Sequence, residues 1–339
     1  TILVFVRVVL FLSDIQDLWI LNSFLKSGIE IIWDFTNKIT SPHHYLDLLK
    51  EYKLHQFHGI EDKKFLNLLN ACDYFITKEG KPFSGGSQFA EKTYSLGWVG
   101  ESCTYNTKPT IDIENSYKYH FCEPHYLRLY FKMGFDKNSI IPSSPKYYFL
   151  NGQTRESICG MLGLDPNEKY VTTFSSFIGT SNNRINIFLE AHRKHNKIKL
   201  LAKRKQKHST PDPKEAFKVF SGDNFKNGTF FHEGLMLQSI SEYCIGLPTS
   251  SAIESEVLGT RFISFWAHPR MEHEQLYDDI IKNGRAYRMA LSSDTFRIYP
   301  EDKAEEVIPK LEEWLDRTKD QKYDFSNQFD IHPLLRQFI

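Results

Sequence analysis

The sequence predicts an α/β protein built from two doubly wound, Rossmann-like domains facing one another across a cleft. Three observations carry this expectation. Short β-branched, apolar runs alternate with segments of helical spacing along most of the chain. The alternation pauses around residues 148–165 and then restarts. A chain of 339 residues exceeds one ordinary domain and suits two. The expected division is 1–150, 151–322 and a tail, 323–339, packing back on the N-terminal domain. One larger open sheet with long insertions is the alternative.

The elements follow in order. Ile2 to Leu12 is apolar and β-branched and reads as a buried first strand. It is shorter than the roughly 20 residues of a membrane span, and it carries Arg7. Ser13 or Asp14 can cap a helix through Leu25, Gly28 stops it, and Ile29 to Trp33 forms the next strand. Short connections of this kind imply a parallel sheet. Helical spacing recurs at Tyr45–Tyr52 and Lys63–Asn70, and Asp73–Thr77 is a strand. A glycine turn, Ser84–Ser87, leads into a helix-like Gln88–Leu96. Tyr117–Phe121 reads as a strand, Pro124–Met133 as a helix and Ile140–Ile141 as the start of another strand. After the boundary, Thr154–Leu162 reads as a short helix ended by Gly163, and Tyr170–Phe174 as a strand. Arg184–His195 is a helix, Ile198–Ala202 a strand, and Phe217 lies on a short helix. Thr229–His232 is a strand, Leu235–Glu242 a helix, Tyr243–Gly246 a strand, Ser251–Leu258 a helix and Arg261–Trp266 a strand. A terminal helix spans Lys303–Asp320.

Composition narrows the function. Lys plus Arg number 42 and Asp plus Glu 42, so no net field steers the protein to nucleic acid or to a membrane. The five cysteines are scattered, with no metal-ligand spacing, and read as reduced thiols of a cytoplasmic protein. Thirteen histidines include several pairs, none with HExxH spacing, so no metal is expected. There is no Walker A motif and no GxSxG.

Four segments can carry chemistry. Ile245–Ser264 reads strand, tight loop, helix, glycine stop, strand. Thr249, Ser250 and Ser251 sit where the helix begins, and a helix N-terminus offers free N–H groups and a partial positive charge to a phosphate. Glu254, one turn in, can reach back toward a ribose hydroxyl. The same residues fit an ordinary helix cap. Second, the strand Ile198–Ala202 runs into Lys203, Arg204, Lys205, Lys207 and His208. Lys203, Lys205 or His208 can stabilise a phosphate leaving group there, and a solvated basic loop accounts for the others. Third, Ser175 and Ser176 open a small polar loop after Phe174. Fourth, Glu79 ends a strand in the first half, where a carboxylate can act as the base that deprotonates an acceptor hydroxyl. A turn residue fits that position equally.

With these residues in place, the second half resembles the donor domain of GT-B glycosyltransferases. Within that superfamily, the bacterial sialyl- and Kdo transferases that use CMP-sugars carry an Asp/Glu-Gly motif, a His-Pro motif and a Ser-Ser pair. Glu79-Gly80 is similar to the first and Ser250-Ser251 to the last. The middle motif departs, with Lys203–His208 in its place. The CDP-glycerol and teichoic-acid polymerases also have paired serines at this helix start, and UDP-GlcNAc 2-epimerases share the architecture. The resemblance implies an inverting, metal-independent glycosyltransferase with no cofactor. It would move a sugar from a nucleotide-sugar donor to a glycan or lipid-linked acceptor, in the cytoplasm or at the inner face of a membrane, without nucleic acid. A nucleotide-sugar 2-epimerase and a non-catalytic GT-B-like binding subunit are the alternatives.

Overall fold

The computed structural model describes residues 7–12, 29–34, 53–57, 63–78, 86–97, 112, 115–143, 145–174, 183–204, 213–220, 225–226, 229–230, 232–247, 250–266, 269–270, 275, 295–317 and 329–336. Among them two parallel sheets carry the fold, an α/β arrangement of two doubly wound units.

The first sheet has strands β1 (Val8–Leu12), β2 (Ile29–Asp34), β3 (Lys53–Phe57), β4 (Tyr74–Lys78), β5 (Thr93–Leu96), β6 (Tyr119–Cys122) and β7 (Ile140–Pro142). Their order is β3-β2-β1-β4-β5-β6-β7, and every pairing is parallel. The switch point therefore lies between β1 and β4. Helix α1 (Lys63–Ala71) buries Phe65, Leu68 and Leu69, spaced to form one helical stripe, against Val9 and Phe75 of the sheet. Helix α2 (Leu127–Lys132) packs Leu129 and Tyr130 beside Cys122 and Ile140.

A connecting segment follows. The 3-10 turn Pro145–Leu150 leads to α3 (Arg155–Leu162), whose ends the chain itself marks. Thr154 and Ser157 form a reciprocal capping box at its start. Gly163 closes it at φ 64°, a left-handed conformation that glycine adopts without Cβ strain. Arg155 then ties the helix down, its guanidinium donating to the carbonyls of Pro166, Glu168 and Ile240 at 2.7–2.8 Å.

The second sheet comprises β8 (Tyr170–Phe174), β9 (Lys199–Lys203), β10 (Lys218–Phe220), β13 (Tyr243–Gly246), β14 (Arg261–Phe265) and β15 (Thr295–Ile298), in the order β10-β9-β8-β13-β14-β15. Strands β11 (Phe225–Lys226) and β12 (Thr229–Phe230) form a separate antiparallel pair. Both faces of the sheet are covered, and residues alternate between the covers. Val171 and Leu200 join Ile185 and Leu189 of α4 (Asn183–His195) and Val307 and Leu311 of α7 (Ala304–Asp316). Tyr170 and Leu201 join Ile158 of α3 and Leu235 and Ile240 of α5 (Glu233–Ile240). Two covered faces explain why the central strand β8 is buried at every residue, Thr172 and Thr173 included. Helix α6 (Ser250–Val257) joins β13 to β14. A last turn, α8 (Pro333–Arg336), buries Leu335. The tail holds to the connecting segment: Asn151 exchanges two hydrogen bonds with the Phe329 backbone, Phe329 stacks on Tyr147, and His332 packs edge-on to Phe121.

Several local expectations change. Gln88–Leu96 is not one helix: the turn Gly86–Lys92 gives way to β5, whose four residues are all buried between neighbours. Phe217 lies on no helix; it stands exposed just before the edge strand β10, which only pairing with β9 holds extended. Strands β3 and β15 are also additions, and both take their form from the strand beside them. The helices expected at 14–25 and 45–52 lie outside the described residues. No helix among the described residues is long and apolar enough to cross a membrane. Four cysteines, Cys72, Cys122, Cys159 and Cys244, are free and buried.

Candidate functional site

Ligands of doubly wound sheets bind beyond the carboxyl ends of the strands, at the point where the strand order reverses. In the second sheet that point lies between β8 and β13. The register puts Phe174, Gly246 and Lys203 in one row at this edge, with Ser264 beyond Gly246. The backbone is crowded here, since a Cβ on Gly246 would stand 3.1 Å from the Phe262 ring and 3.5 Å from Phe174 Cβ.

Helix α6 rises from this edge. Ser250 is its first residue and partly exposed; Ser251 is buried. Both are placed at the free N–H groups of a helix start beside the switch point, the geometry that anion binding requires. Lys203 ends β9 on the other side of β8. Its Nζ lies 3.4 Å from Glu233 Oε2, and Glu233 is buried in the first turn of α5.

The residue before it, His232, caps α5: Nδ1 accepts from the Leu235 N–H at 3.1 Å. A neutral ring accepting at Nδ1 carries its proton on Nε2. Burial pushes this histidine down to about 4; Lys146 and Lys203 reinforce the shift and Glu254 opposes it. The ring is thus a neutral N–H donor at physiological pH. His232, Glu233 and Lys203 form a second polar group at the same sheet edge. Its signal in the sequence was a His-Glu pair at the start of an apolar helix, a pattern that also describes a plain cap.

Glu254, one turn into α6, faces the interior. It is buried at 4% exposure. Oε1 meets Lys146 Nζ at 3.2 Å and Oε2 accepts from Gln238 Nε2 at 3.1 Å. Both oxygens are thus engaged inside the protein. Burial works to raise its pKa, but Lys146, His232 and the two hydrogen bonds outweigh it and hold Glu254 below the ordinary carboxylate value. Lys146 also lies 3.2 Å from Glu123 Oε2, and Tyr147 donates to Glu123 Oε1 at 2.9 Å. Burial opposes the charge on Lys146, yet the two carboxylates raise its pKa. Glu123 follows β6 in the first sheet, so this cluster spans the junction of the two halves. Lys146 and Glu123 carried no sequence signal, because each reads as an ordinary charged loop residue.

Glu79 follows Lys78, the last residue of β4, and lies outside the described residues, as do Thr249, Lys205, His208, Ser175 and Ser176. Among the described residues no three His, Cys, Asp or Glu side chains gather as a metal ion would need.

No protein-family model and no curated protein sequence matches the chain. Solved structures do. The chain is similar to the UDP-GlcNAc 2-epimerase from Neisseria meningitidis bound to UDP-GlcNAc, at 8% identity over 95% of this chain and 96% of that one, with a TM-score of 0.53. A second UDP-N-acetylglucosamine 2-epimerase is 9% identical over 95% and 92% of the two chains, at 0.52. The wall teichoic acid polymerase TagF is 11% identical over 91% and 83%, at 0.50. The match runs through both sheets and the segment between them. The chain has the GT-B fold. In GT-B terms, the first sheet is the N-terminal half and the second sheet, with α6 at its switch point, is the C-terminal half.

Proposed function

We propose that this protein is a glycosyltransferase that moves a sugar from a nucleotide-activated donor to a glycan or lipid-linked acceptor. The carrying observation is the start of α6: Ser250 and Ser251 at a helix N-terminus, at the switch point of the second sheet, with Lys203 in the neighbouring strand-end row. The donor's phosphates rest on the N–H groups and hydroxyls of that turn, where the helix dipole favours negative charge. Lys203 and the Nε2–H of His232 supply positive charge and a neutral donor as the nucleotide leaves. Thr249, Lys205, His208, Ser175 and Ser176 adjoin the same edge in the chain and complete the donor side. Glu79, next after β4 at the switch point of the first sheet, takes the acceptor proton. The reaction is inverting and needs neither metal nor cofactor, since the leaving charge is met by these side chains.

A second reading, a nucleotide-sugar 2-epimerase, is favoured by the similarity to the two epimerase structures. One experiment begins to separate them. The purified protein is screened by thermal shift against CMP, CDP, UDP, GDP and ADP, with and without Mg²⁺. A nucleotide at about 100 times its dissociation constant adds roughly 2.7 kcal/mol of stability. A shift with one nucleotide supports both readings; product that forms from the matching nucleotide-sugar only when acceptor is added selects the transferase. No shift with any nucleotide sinks both and leaves a non-catalytic GT-B subunit.

A further inference from the structure

Helix α6 belongs to the second sheet by chain connection, but its flank lies on the first. Ile253 packs among Cys122, Tyr126, Leu129 and Tyr130, with Val257 beside them. Glu254 meets Lys146, and Glu256 lies 3.6 Å from His125 Nε2. Positions 253, 254, 256 and 257 fall on one side of a helix. The helix that opens with Ser250 and Ser251 is therefore docked through residues 253–257 on the β6–α2 region.

Lys146 is the centre of this contact. It is buried at 1% exposure, between Glu123 of the first half and Glu254 of the second, at 3.2 Å from each. Two carboxylates around one ammonium leave an excess negative charge, which the Tyr147 hydroxyl and the Gln238 amide help to disperse by hydrogen bonding. Buried ion clusters contribute little net stability over well-packed apolar side chains, but they penalise any arrangement that separates the partners. An ammonium shared by two halves of a protein penalises every other orientation of those halves.

We propose that Lys146 is a positioning residue that holds α6, and with it the phosphate-binding turn at Ser250–Ser251, in one orientation against the first domain. The clamp rests on the geometry above; only its consequence for nucleotide rests on the function proposed. Binding at the start of α6 is thereby coupled to the state of the β6–α2 surface, since one rigid helix touches both.

Hydrogen exchange on the full chain tests the clamp without any ligand. In Lys146→Met the exchange of α6 and α2 amides should rise at least about tenfold more than that of α4, which is remote from the cluster and reports only the global loss of stability. Lys146→Arg, which retains the charge, should recover much of the protection. Unchanged exchange in α6, or an equal rise in α4, overturns the proposal, because it makes the cluster either idle or a source of global stability only. Should Lys146→Met fail to fold, Glu254→Gln leaves Lys146 balanced by Glu123 and should give the same local loss at smaller size; no local loss there overturns the proposal equally. The nucleotide that shifts the wild type should bind at least about tenfold more weakly to Lys146→Met and regain affinity in Lys146→Arg. A wild type that binds no nucleotide counts against the transferase reading, while the exchange rates still decide the clamp.

Discussion

Lys146 Nζ stands 3.2 Å from Glu254 Oε1, although 108 residues separate the two in the chain. This contact joins the segment that leaves the first sheet to the helix that begins at the ligand edge of the second.

Removing the ammonium leaves two carboxylates buried without their cation. Lys146→Met should lower stability by about 3–5 kcal/mol, the usual cost of breaking a buried ion pair from one side. Glu254→Gln, which leaves one cation and one anion, should cost clearly less. Urea unfolding midpoints of the two variants check the order; equal losses would mean that charge balance is not what the cluster supplies.

The paired serines are tested by Ser250→Ala with Ser251→Ala. The fold should persist, since neither serine belongs to a hydrophobic core cluster, and affinity for the cognate nucleotide should fall by ~1–3 kcal/mol, the range for hydrogen bonds to charged groups. Calorimetric titration reads this directly, and an unchanged dissociation constant removes the phosphate from this helix start.

Two histidines give pH dependences of opposite sign. The Glu256 carboxylate, 3.6 Å from Nε2, raises the pKa of His125 above its ordinary 6.5; Glu123 adds to the shift, and burial and Lys146 oppose it. The folded protein thus holds this proton more tightly than the unfolded chain. The contribution is full below 6.5 and fades as pH rises through the raised value. His232 is the reverse: burial lowers it from 6.5 to about 4, so its contribution is full above 6.5 and is lost as pH falls toward 4. Unfolding midpoints measured from about pH 4 to about pH 9 should show both limbs. His125→Asn should flatten the alkaline limb and leave the acid one. His232→Asn, which can still cap α5, should do the opposite.

Gly97 follows β5 where the chain runs hard against β6. Its N–H donates to the Phe121 carbonyl, and a Cβ would collide with that same oxygen and stand 2.9 Å from Cys122 Cα. Neither contact is with a side chain that can turn away. Gly97→Ala should therefore destabilise by about 2 kcal/mol or more, through forced backbone displacement next to Glu123. Gly160→Ala, with open space around its Cβ position on α3, is the control that should be neutral or stabilising.

Local sequence carried much of the fold. Tyr170–Phe174 and Tyr243–Gly246 are strands as read, because a short run of aromatic, β-branched and apolar residues bounded by loops is enough to mark a strand. Helix α3 was bounded by its own Thr154 cap and Gly163 stop, and α6 by its serine start. The serine-bearing helix start at Ser250–Ser251 was legible for the same reason: a helix start and its hydroxyls are neighbours in the chain. Edge strands such as β10 and short buried ones such as β5 were not legible, since an adjacent strand, not their own composition, holds them extended.

The pairing of charges was decided by tertiary structure alone. On sequence, Glu254 was one helical turn from a phosphate site and free to face it, and Lys146 and Glu123 were unremarked loop residues. Docking Ile253 into the β6–α2 cluster carries Glu254 inward, and the buried carboxylate then takes the cation the fold places beside it. Caps, stops and strand runs depend on residues a few positions apart, so the sequence by itself determines them. Which ion meets which depends on distance through the folded interior, where low polarity makes an unpaired charge costly, and only the assembled halves set that distance.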